Sequence, residues 1–239
     1  NIKKYMQTKN RKEILIFGAT GGTGQAIVRE ALKRGYGVTV FVRNIQHAQH
    51  IFNGKVSELT FCEGDALNAN AVQQAVESRT HAVISAMGVY QSKRGCDDLT
   101  RATTNILNAM NTRGSKRFLC ISSIGVGDSR GQGDFVTRMI QKTVLRFTLA
   151  DKKLQEAAIQ NSNLEWTIIR PSRLMDKGAH AQYLTWTGQQ PEQKLAWSID
   201  RSQVATLTLD CLEDDNSVGQ AINVTGTPVA SAASTADAA

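Results

Sequence analysis

The chain has 239 residues, of which 41% are hydrophobic and 21% are charged. This composition is typical of a globular protein with one large core, so a second full domain is not required. The formal net charge is +7, but the basic residues form no nucleic-acid-binding motif. We therefore expect no nucleic-acid partner and attribute the charge to an anionic cofactor and substrate and to solvated surface. No apolar run is long enough to span a membrane, and we expect no membrane partner.

The two ends of the chain differ from its centre. Residues 1–12 are polar and basic, and residues 227–239 are rich in alanine, serine and threonine. Neither end has a periodic apolar pattern, so we expect a flexible leader, one domain at 13–226 and a flexible tail. The four cysteines are widely spaced and form no Cys-x-x-Cys pair, which predicts a reducing cytoplasm and no metal site. His47 and His50 have no partner ligand and indicate a surface helix.

Short apolar runs alternate with helical patterns from Glu13 onward. The apolar runs predict strands at 13–17, 38–42, 58–62, 81–85, 116–121 and 165–170. The helical patterns predict helices at 22–34, 69–78, 97–113, 134–160 and 201–213. This alternation predicts an α/β fold, a doubly wound parallel sheet with strand order 3-2-1-4-5-6 and helices on both faces. Because ligands in such sheets bind beyond the carboxyl ends of the strands, residues directly after each strand are the first site candidates.

A glycine-rich turn, Gly18-Ala19-Thr20-Gly21-Gly22-Thr23-Gly24, follows the first strand and opens the first helix. A helix N-terminus in this position binds diphosphate, because it offers unpaired N–H groups and a partial positive charge. In the G-x-x-G-x-x-G spacing, Gly18 allows a tight turn and Gly21 lets the backbone approach the phosphates. Gly24 lets the helix pack close to the strand. An ordinary strand-to-helix turn is the alternative, but the βαβ context favours dinucleotide binding.

The end of the second strand indicates which dinucleotide is bound. A site that prefers NAD usually has an acidic residue about 20 residues beyond the glycine turn, where it holds the ribose 2′-OH. This chain has Arg43 there, which suits a 2′-phosphate through charge-assisted hydrogen bonds. The sequence therefore predicts NADPH (NADP+) as the cofactor, with a solvent-facing arginine as the alternative.

Residues after the next three strands are further candidates. Asp65 fits either an acceptor for the adenine amino group or a turn residue. The small residues of Ala86-Met87-Gly88 let the chain pass close to a ribose or diphosphate, or form a plain loop. Ser122 and Ser123 follow the fifth strand, where a hydroxyl would face a nicotinamide and hold a substrate carbonyl. Turn or cap serines are the alternative for this pair.

Together these pieces resemble the atypical short-chain dehydrogenases/reductases. More narrowly, they resemble the NAD(P)H-binding group that includes NmrA-like proteins and the biliverdin-IXβ and flavin reductases. The resemblance covers about residues 13–226 and is carried by five segments: Ile16–Gly24, Val40–Arg43, Glu63–Asp65, Ile121–Ser123 and Leu164–Pro171. It implies a Rossmann fold in a single domain with a small C-terminal substrate-binding part.

The resemblance also implies roles for individual residues. The residues implied to contact the phosphates are Thr20, Gly22, Thr23 and Gly24. Arg43 would contact the 2′-phosphate and Asp65 the adenine. The segment from Pro171 to Arg173 would lie along the nicotinamide, and residues 171–200 would cover the substrate. Lys152 would hydrogen-bond the nicotinamide ribose, although on sequence alone it also fits a solvated helix face with Glu156 at i,i+4.

One position departs from the family pattern. Typical members carry Tyr-x-x-x-Lys, in which the tyrosine is the general acid. The tyrosine position holds Thr148 if the lysine is Lys152, and Leu149 if it is Lys153. Neither side chain can act as that acid, so the usual Ser-Tyr-Lys reduction of a carbonyl lacks its proton donor.

Two functions fit this departure. The first is an NADPH-dependent oxidoreductase that transfers a hydride to a conjugated acceptor such as a flavin, quinone or tetrapyrrole, with Ser123 orienting the acceptor and Ser122 and Lys152 in support. The second is a non-catalytic NADP(H)-binding redox sensor. A nucleotide-sugar epimerase or dehydratase ranks third, because it needs the tyrosine.

Residues beyond the sixth strand bear on the acceptor. Arg173, Lys177 and His180 favour an anionic acceptor, with a basic surface loop as the alternative. Three aromatic residues suit stacking on a flat ring or ordinary packing: Tyr183, Trp186 and Trp197. No exposed apolar seam is evident, and we expect a monomer or homodimer.

Overall fold

A computed structural model describes residues 11–88, 97–176, 182–193 and 195–227. The strands of its main sheet are β1 (Glu13–Phe17), β2 (Gly37–Val42), β3 (Leu59–Glu63), β4 (Thr80–Ser85), β5 (Arg117–Ile121), β6 (Glu165–Pro171), β8 (Tyr183–Trp186) and β10 (Gln220–Gly226). Their order is β3-β2-β1-β4-β5-β6-β10-β8, and only the edge strand β8 is antiparallel to its neighbour. Two short strands, β7 (Arg173–Met175) and β9 (Ser198–Asp200), form a separate parallel pair.

The described helices are α1 (Gly22–Lys33), α2 (Ile45–Ile51), α3 (Ala69–Ala75), α4 (Asp98–Arg113), α5 (Phe135–Lys142), α6 (Arg146–Gln160) and α7 (Arg201–Glu213). Helices α1 and α7 pack together on one face of the sheet, while α3, α4 and α6 cover the other. The predicted doubly wound sheet and its order 3-2-1-4-5-6 are therefore confirmed. The sheet continues beyond β6 through β10 and β8, which the sequence analysis did not identify.

Strand β1 is apolar along its length because both faces of the sheet are covered. Ile14, Leu15, Ile16 and Phe17 are each at most 1% exposed. Ile14 and Ile16 belong to the core beneath α1 and α7, and Leu15 and Phe17 to the core beneath α3, α4 and α6. This two-sided burial is the reason that a central parallel strand reads as a continuous apolar run.

The helix predicted over 134–160 is wrong, because the structure has two helices there, α5 and α6. The break lies at 143–145, where Thr143 and Val144 are consecutive β-branched residues that disfavour helix continuation. The Thr143 hydroxyl donates to the carbonyl oxygen of Met139 at 2.8 Å, a local bond that competes with the regular helix pattern. The other predicted boundaries lie within one residue of those observed, except that α3 ends at Ala75.

The histidine and cysteine interpretations have separate outcomes. His47 and His50 lie exposed on α2, so the predicted surface helix is confirmed. Cys120 is buried, which raises its pKa to about 12, whereas Cys62 is only half-buried. In the described ranges, no cluster of three or more His, Cys, Asp or Glu residues could hold a metal ion. None of the described helices combines the length and apolar character needed to cross a bilayer.

Candidate functional site

A cleft of about 510 Å³ opens at the carboxyl ends of β1, β2, β3 and β4. Eight of the residues predicted to bind the cofactor line it: Gly18, Thr20, Gly21, Arg43, Asp65, Ala86, Met87 and Gly88. The other lining residues are Phe17, Phe41, Val42, Gly64, Ala66, Leu67, Asp98, Leu99 and Ala102. Gly22, Thr23 and Gly24 form the first turn of α1, directly behind Gly21. The structure therefore brings together the residues that the sequence singles out after the first four strands.

Two glycines of the turn are required by the protein's own packing. Gly18 has φ +73°, and a Cβ there would lie 2.7 Å from the backbone of Ala86 and Met87. A Cβ on Gly24 would lie 2.1 Å from the carbonyl oxygen of Gly18. Gly21 differs, because its φ is −72° and its Cβ would meet the carbonyl oxygen of Gly18 at 3.4 Å. The protein's own packing would therefore tolerate a side chain at position 21. A glycine there instead leaves room in the cleft, which fits the close approach of a diphosphate.

The start of α1 is electrostatically suited to an anion. Its N-cap residue, Gly21, provides no side-chain cap, and no acidic residue lies in the first turn. The first N–H groups of the helix and the positive end of its dipole are therefore left to a ligand. The residues that are present fit a dinucleotide diphosphate at this position.

Arg43 and Asp65 line the cleft directly after β2 and shortly after β3. Arg43 is exposed at the end of β2, and none of the described carboxylates forms an ion pair with it. Asp65 accepts a hydrogen bond from the backbone N–H of Leu67 at 2.9 Å, so it also stabilises a turn. Both interpretations of Asp65 are thus compatible with its place in the cleft.

Lys152 is 7% exposed, so its interpretation as part of a solvated helix face is wrong. Its Nζ donates a hydrogen bond to the carbonyl oxygen of Ile121, the last residue of β5, at 3.1 Å. Burial lowers the pKa of Lys152 from its ordinary value. The Lys152 amine is therefore buried beside the end of β5, and it is not among the residues that line the cleft.

Asp151, the residue before Lys152, was missed by the sequence analysis. Its carboxylate accepts the backbone N–H groups of Leu99 and Thr100, each at 3.1 Å. These are orphan donors in the first turn of α4, so Asp151 ties α6 to the wall of the cleft formed by Leu99. The adjacent Asp151 and Lys152 within a helical pattern could have drawn attention to Asp151, but a single sequence does not show that this pair is buried.

Ser122 and Ser123 have different partners. The Ser122 hydroxyl is buried and donates to Oε1 of Glu156 at 2.5 Å. Glu156 also accepts from Nε and Nη2 of Arg170, at 3.0 and 2.7 Å, and Arg170 contacts Asp128 as well. The Ser122 hydroxyl is therefore committed to a buried network. Ser123 is half-buried, and its one hydrogen bond within the described part of the chain goes to the adjacent carbonyl oxygen of Ile124, at 3.1 Å. Its contact with a ligand stays a prediction.

The residues at and after the end of β6 lie outside the lining of the cleft. Pro171 is buried as the last residue of β6, and its carbonyl oxygen accepts the N–H of Ile124 at 3.1 Å. Arg173 is exposed on β7. Their contacts with a nicotinamide stay predictions, and Lys177 and His180 lie outside the described residues.

The three aromatic residues of the C-terminal part each have a packing partner. Trp186 and Trp197 meet edge-to-face with centroids 6.4 Å apart, and Trp186 donates to Gln132 at 3.1 Å. The Tyr183 hydroxyl donates to Asp210 at 3.3 Å. Part of the segment predicted to cover the substrate is therefore the edge strand β8, while the covering role itself stays a prediction.

The doubly wound sheet and its glycine-lined cleft define a nucleotide-binding protein of the Rossmann type. Residues 18–215 match the NAD(P)H-binding family, and the chain belongs to this family. The resemblance to atypical short-chain dehydrogenases/reductases is thereby confirmed, and a nicotinamide dinucleotide is the cofactor class of the family.

Two curated relatives come from plants. An uncharacterised chloroplastic protein of Arabidopsis thaliana is 26% identical over 221 residues, covering 89% of this chain and 76% of the relative. The chloroplastic divinyl chlorophyllide a 8-vinyl-reductase of Cucumis sativus is 22% identical over 248 residues, covering 95% of this chain. The match spans 56% of that reductase.

Two solved structures share the fold. A short-chain dehydrogenase/reductase from Veillonella parvula in complex with NADP superposes with a TM-score of 0.74 at 19% identity, covering 92% of this chain and 100% of that one. ChuY, an anaerobillin reductase from Escherichia coli O157:H7, superposes with a TM-score of 0.72 at 22% identity, with the same coverage.

Proposed function

We propose that this protein is an NADPH-dependent oxidoreductase that transfers a hydride to a conjugated acceptor, of the flavin, quinone or tetrapyrrole type. The observation that carries the proposal is the cleft, which combines a glycine cradle for a diphosphate with Arg43 at the end of β2, an arginine paired with none of the described carboxylates. NADPH supplies the hydride when it is bound. The protein's own residues must bind the cofactor, orient the acceptor and control where its proton comes from.

The proposed cofactor-binding roles are those that the resemblance implies, and the positions of these residues at the cleft support them. The turn from Gly18 to Gly24 binds the diphosphate through backbone N–H groups at the start of α1. Arg43 binds the 2′-phosphate, and the choice of NADPH over NADH depends on it. Asp65 accepts a hydrogen bond from adenine, and Ala86-Met87-Gly88 follows the sugar and phosphates at close range.

At the reacting end of the site, Thr148 or Leu149 stands where typical members carry the tyrosine acid. Lys152 holds the ribose, and Ser123 orients the acceptor. Thr148 is half-buried at the tyrosine position, and its hydroxyl is too weakly acidic to donate a proton. A conjugated acceptor avoids this need, because it takes the two electrons with the hydride and then one proton from water.

Relatives support the acceptor class. The proteins named divinyl chlorophyllide a 8-vinyl-reductase and anaerobillin reductase are consistent with a flat tetrapyrrole acceptor for this chain. Exposed Arg173 favours an anionic one. For the compartment we propose the cytoplasm, on the free thiols of the described cysteines, while the plant relatives carry the description chloroplastic.

The proposal is tested by initial rates of NADPH and NADH oxidation with flavins, quinones and biliverdin. We expect turnover with NADPH in preference to NADH for at least one acceptor class, and a large loss of rate in Lys152→Met. One observation favours the second candidate, a redox sensor: Ser122 is locked to Glu156, which removes one of the predicted catalytic hydroxyls. Tight NADPH binding with no oxidation by any acceptor would select the sensor.

A further inference from the structure

Helix α5 presents its apolar side outward. Phe135, Val136, Met139 and Ile140 are exposed, with Phe135 at 72%, while Gln141 on the opposite side of the helix is buried. A surface helix of a globular protein has the reverse arrangement. With Val144 at 77%, this segment holds five of the seven large apolar side chains that are exposed in the described residues. The expectation of no exposed apolar seam is therefore wrong.

A basic cavity of about 540 Å³ lies between α5, α6 and the loop at 125–131, and α5 lines it with Arg138, Gln141 and Lys142. Its charged lining residues are all basic: Arg130, Arg138, Lys142, Arg146 and Lys153. All five are exposed, and none forms an ion pair with a carboxylate among the described residues. The neighbouring carboxylate of Asp134 caps α5 instead, accepting the N–H of Thr137 at 2.8 Å.

We propose that α5 and these five basic residues bind the surface of an anionic lipid bilayer. Phe135 and Met139 would enter the boundary between headgroups and acyl chains, while Arg138 and Lys142, on the border of the apolar side, would meet the lipid phosphates. The expectation of no membrane partner rests on the lack of a spanning segment. Binding at the interface needs only one apolar helix side with flanking cations.

Charge favours this occupant over a second copy of the chain. In a symmetric dimer the same patch contacts itself, so the five cations of one copy would face the five of the other. Such like-charge contacts oppose association. An anionic bilayer complements both the apolar side of α5 and the basic residues, because its hydrocarbon region lies beneath a negatively charged surface.

The experiment is sedimentation of the full chain with vesicles of phosphatidylcholine alone or mixed with phosphatidylglycerol. We expect binding to the mixed vesicles only, decreasing with salt. The variant Arg138→Gln/Lys142→Gln should lower the partition coefficient about 25-fold, the combined effect of two cations at an anionic surface. The matched control Arg29→Gln/Lys116→Gln removes two exposed cations elsewhere and should change it by less than about twofold.

A second variant, Phe135→Ser/Met139→Ser, tests the apolar part. It should lower partition at least about tenfold, and both side chains are exposed, so the fold is retained and NADPH affinity serves as the check. Equal binding to neutral vesicles, or an equal loss in the control variant, would overturn the proposal. Failure of the unmodified chain to sediment with either vesicle would also overturn it and assign the face to an acidic protein partner.

Discussion

Arg201 lies across the first turn of α1, where a Cβ on Gly22 would be only 2.7 Å from its Nε atom. Arg201 is the first residue of α7, which runs beside α1, so both helices begin at the carboxyl edge of the sheet. Its Nη1 donates to Asp176 at 2.7 Å, and Asp176 is 82% exposed. A guanidinium is therefore held beside the N–H groups proposed to bind the diphosphate.

This relationship predicts that Arg201 contributes to binding of any dinucleotide. Arg201→Gln should weaken NADPH and NADH by the same factor, about tenfold, because the diphosphate is common to both. Fluorescence titration of each cofactor measures the two affinities. Unchanged affinity for both would assign Arg201 to the contact with Asp176 alone.

Arg43, unlike Arg201, should distinguish NADPH from NADH. Arg43→Ala removes a charge-assisted contact to the 2′-phosphate and should weaken NADPH about tenfold to a hundredfold. NADH lacks that phosphate, so its affinity should be almost unchanged. The same titration measures both cofactors, and equal losses would refute the assignment of Arg43.

Two glycines of the turn should respond differently to substitution. Gly24→Ala places a Cβ 2.1 Å from the carbonyl oxygen of Gly18 and should lower the free energy of unfolding by about 1–3 kcal/mol. Gly21→Val has an allowed φ and should fold but lose cofactor binding, because its side chain blocks the phosphates. Urea unfolding and NADPH titration separate the two effects. Retained binding in folded Gly21→Val would contradict the turn assignment.

Lys152 should give stability a dependence on pH. Its folded pKa lies below the ordinary lysine value of 10.5, so between these two values the unfolded chain binds more protons. The free energy of unfolding should therefore rise with pH in this window. Lys152→Met should lack that rise, as measured by urea unfolding at several pH values below 10.5. Parallel pH profiles for the two proteins would be inconsistent with a buried, desolvated amine.

Substitution of Ser122 should affect stability, whereas substitution of Ser123 should affect turnover. Ser122→Ala leaves the Glu156 carboxylate short of one buried donor and should lower the free energy of unfolding by about 1–3 kcal/mol with little change in kcat. Ser123→Ala should lower kcat with little change in stability, because among the described residues its hydroxyl bonds only to the adjacent Ile124 carbonyl. Steady-state kinetics and thermal unfolding test the pair. The reverse pattern would exchange the proposed roles.

Local sequence patterns were sufficient to predict the first six strands and the position of the cleft. The apolar run of β1 and the glycine turn directly after it predict a ligand site without any knowledge of the rest of the fold. Strand β10 was missed because it reads as polar. Its Asn223 and Thr225 are fully buried, and only the assembled sheet reveals this.

Long-range side-chain networks could not be derived from spacing. Glu156 is four residues after Lys152, which suggested a surface pair on the helix. In the structure the Glu156 carboxylate bonds to Ser122 and Arg170, which come from two neighbouring strands and their ends. The partner of a buried charge depends on the three-dimensional arrangement of distant segments, and one sequence does not supply that arrangement.

The most direct test of the central claim is the number of NADPH equivalents oxidised per chain with the best acceptor, measured from loss of reduced-nicotinamide absorbance. We predict many equivalents per chain, and none above background in Gly21→Val. At most one equivalent per chain, in protein that binds NADPH tightly, would contradict the assignment as a reductase.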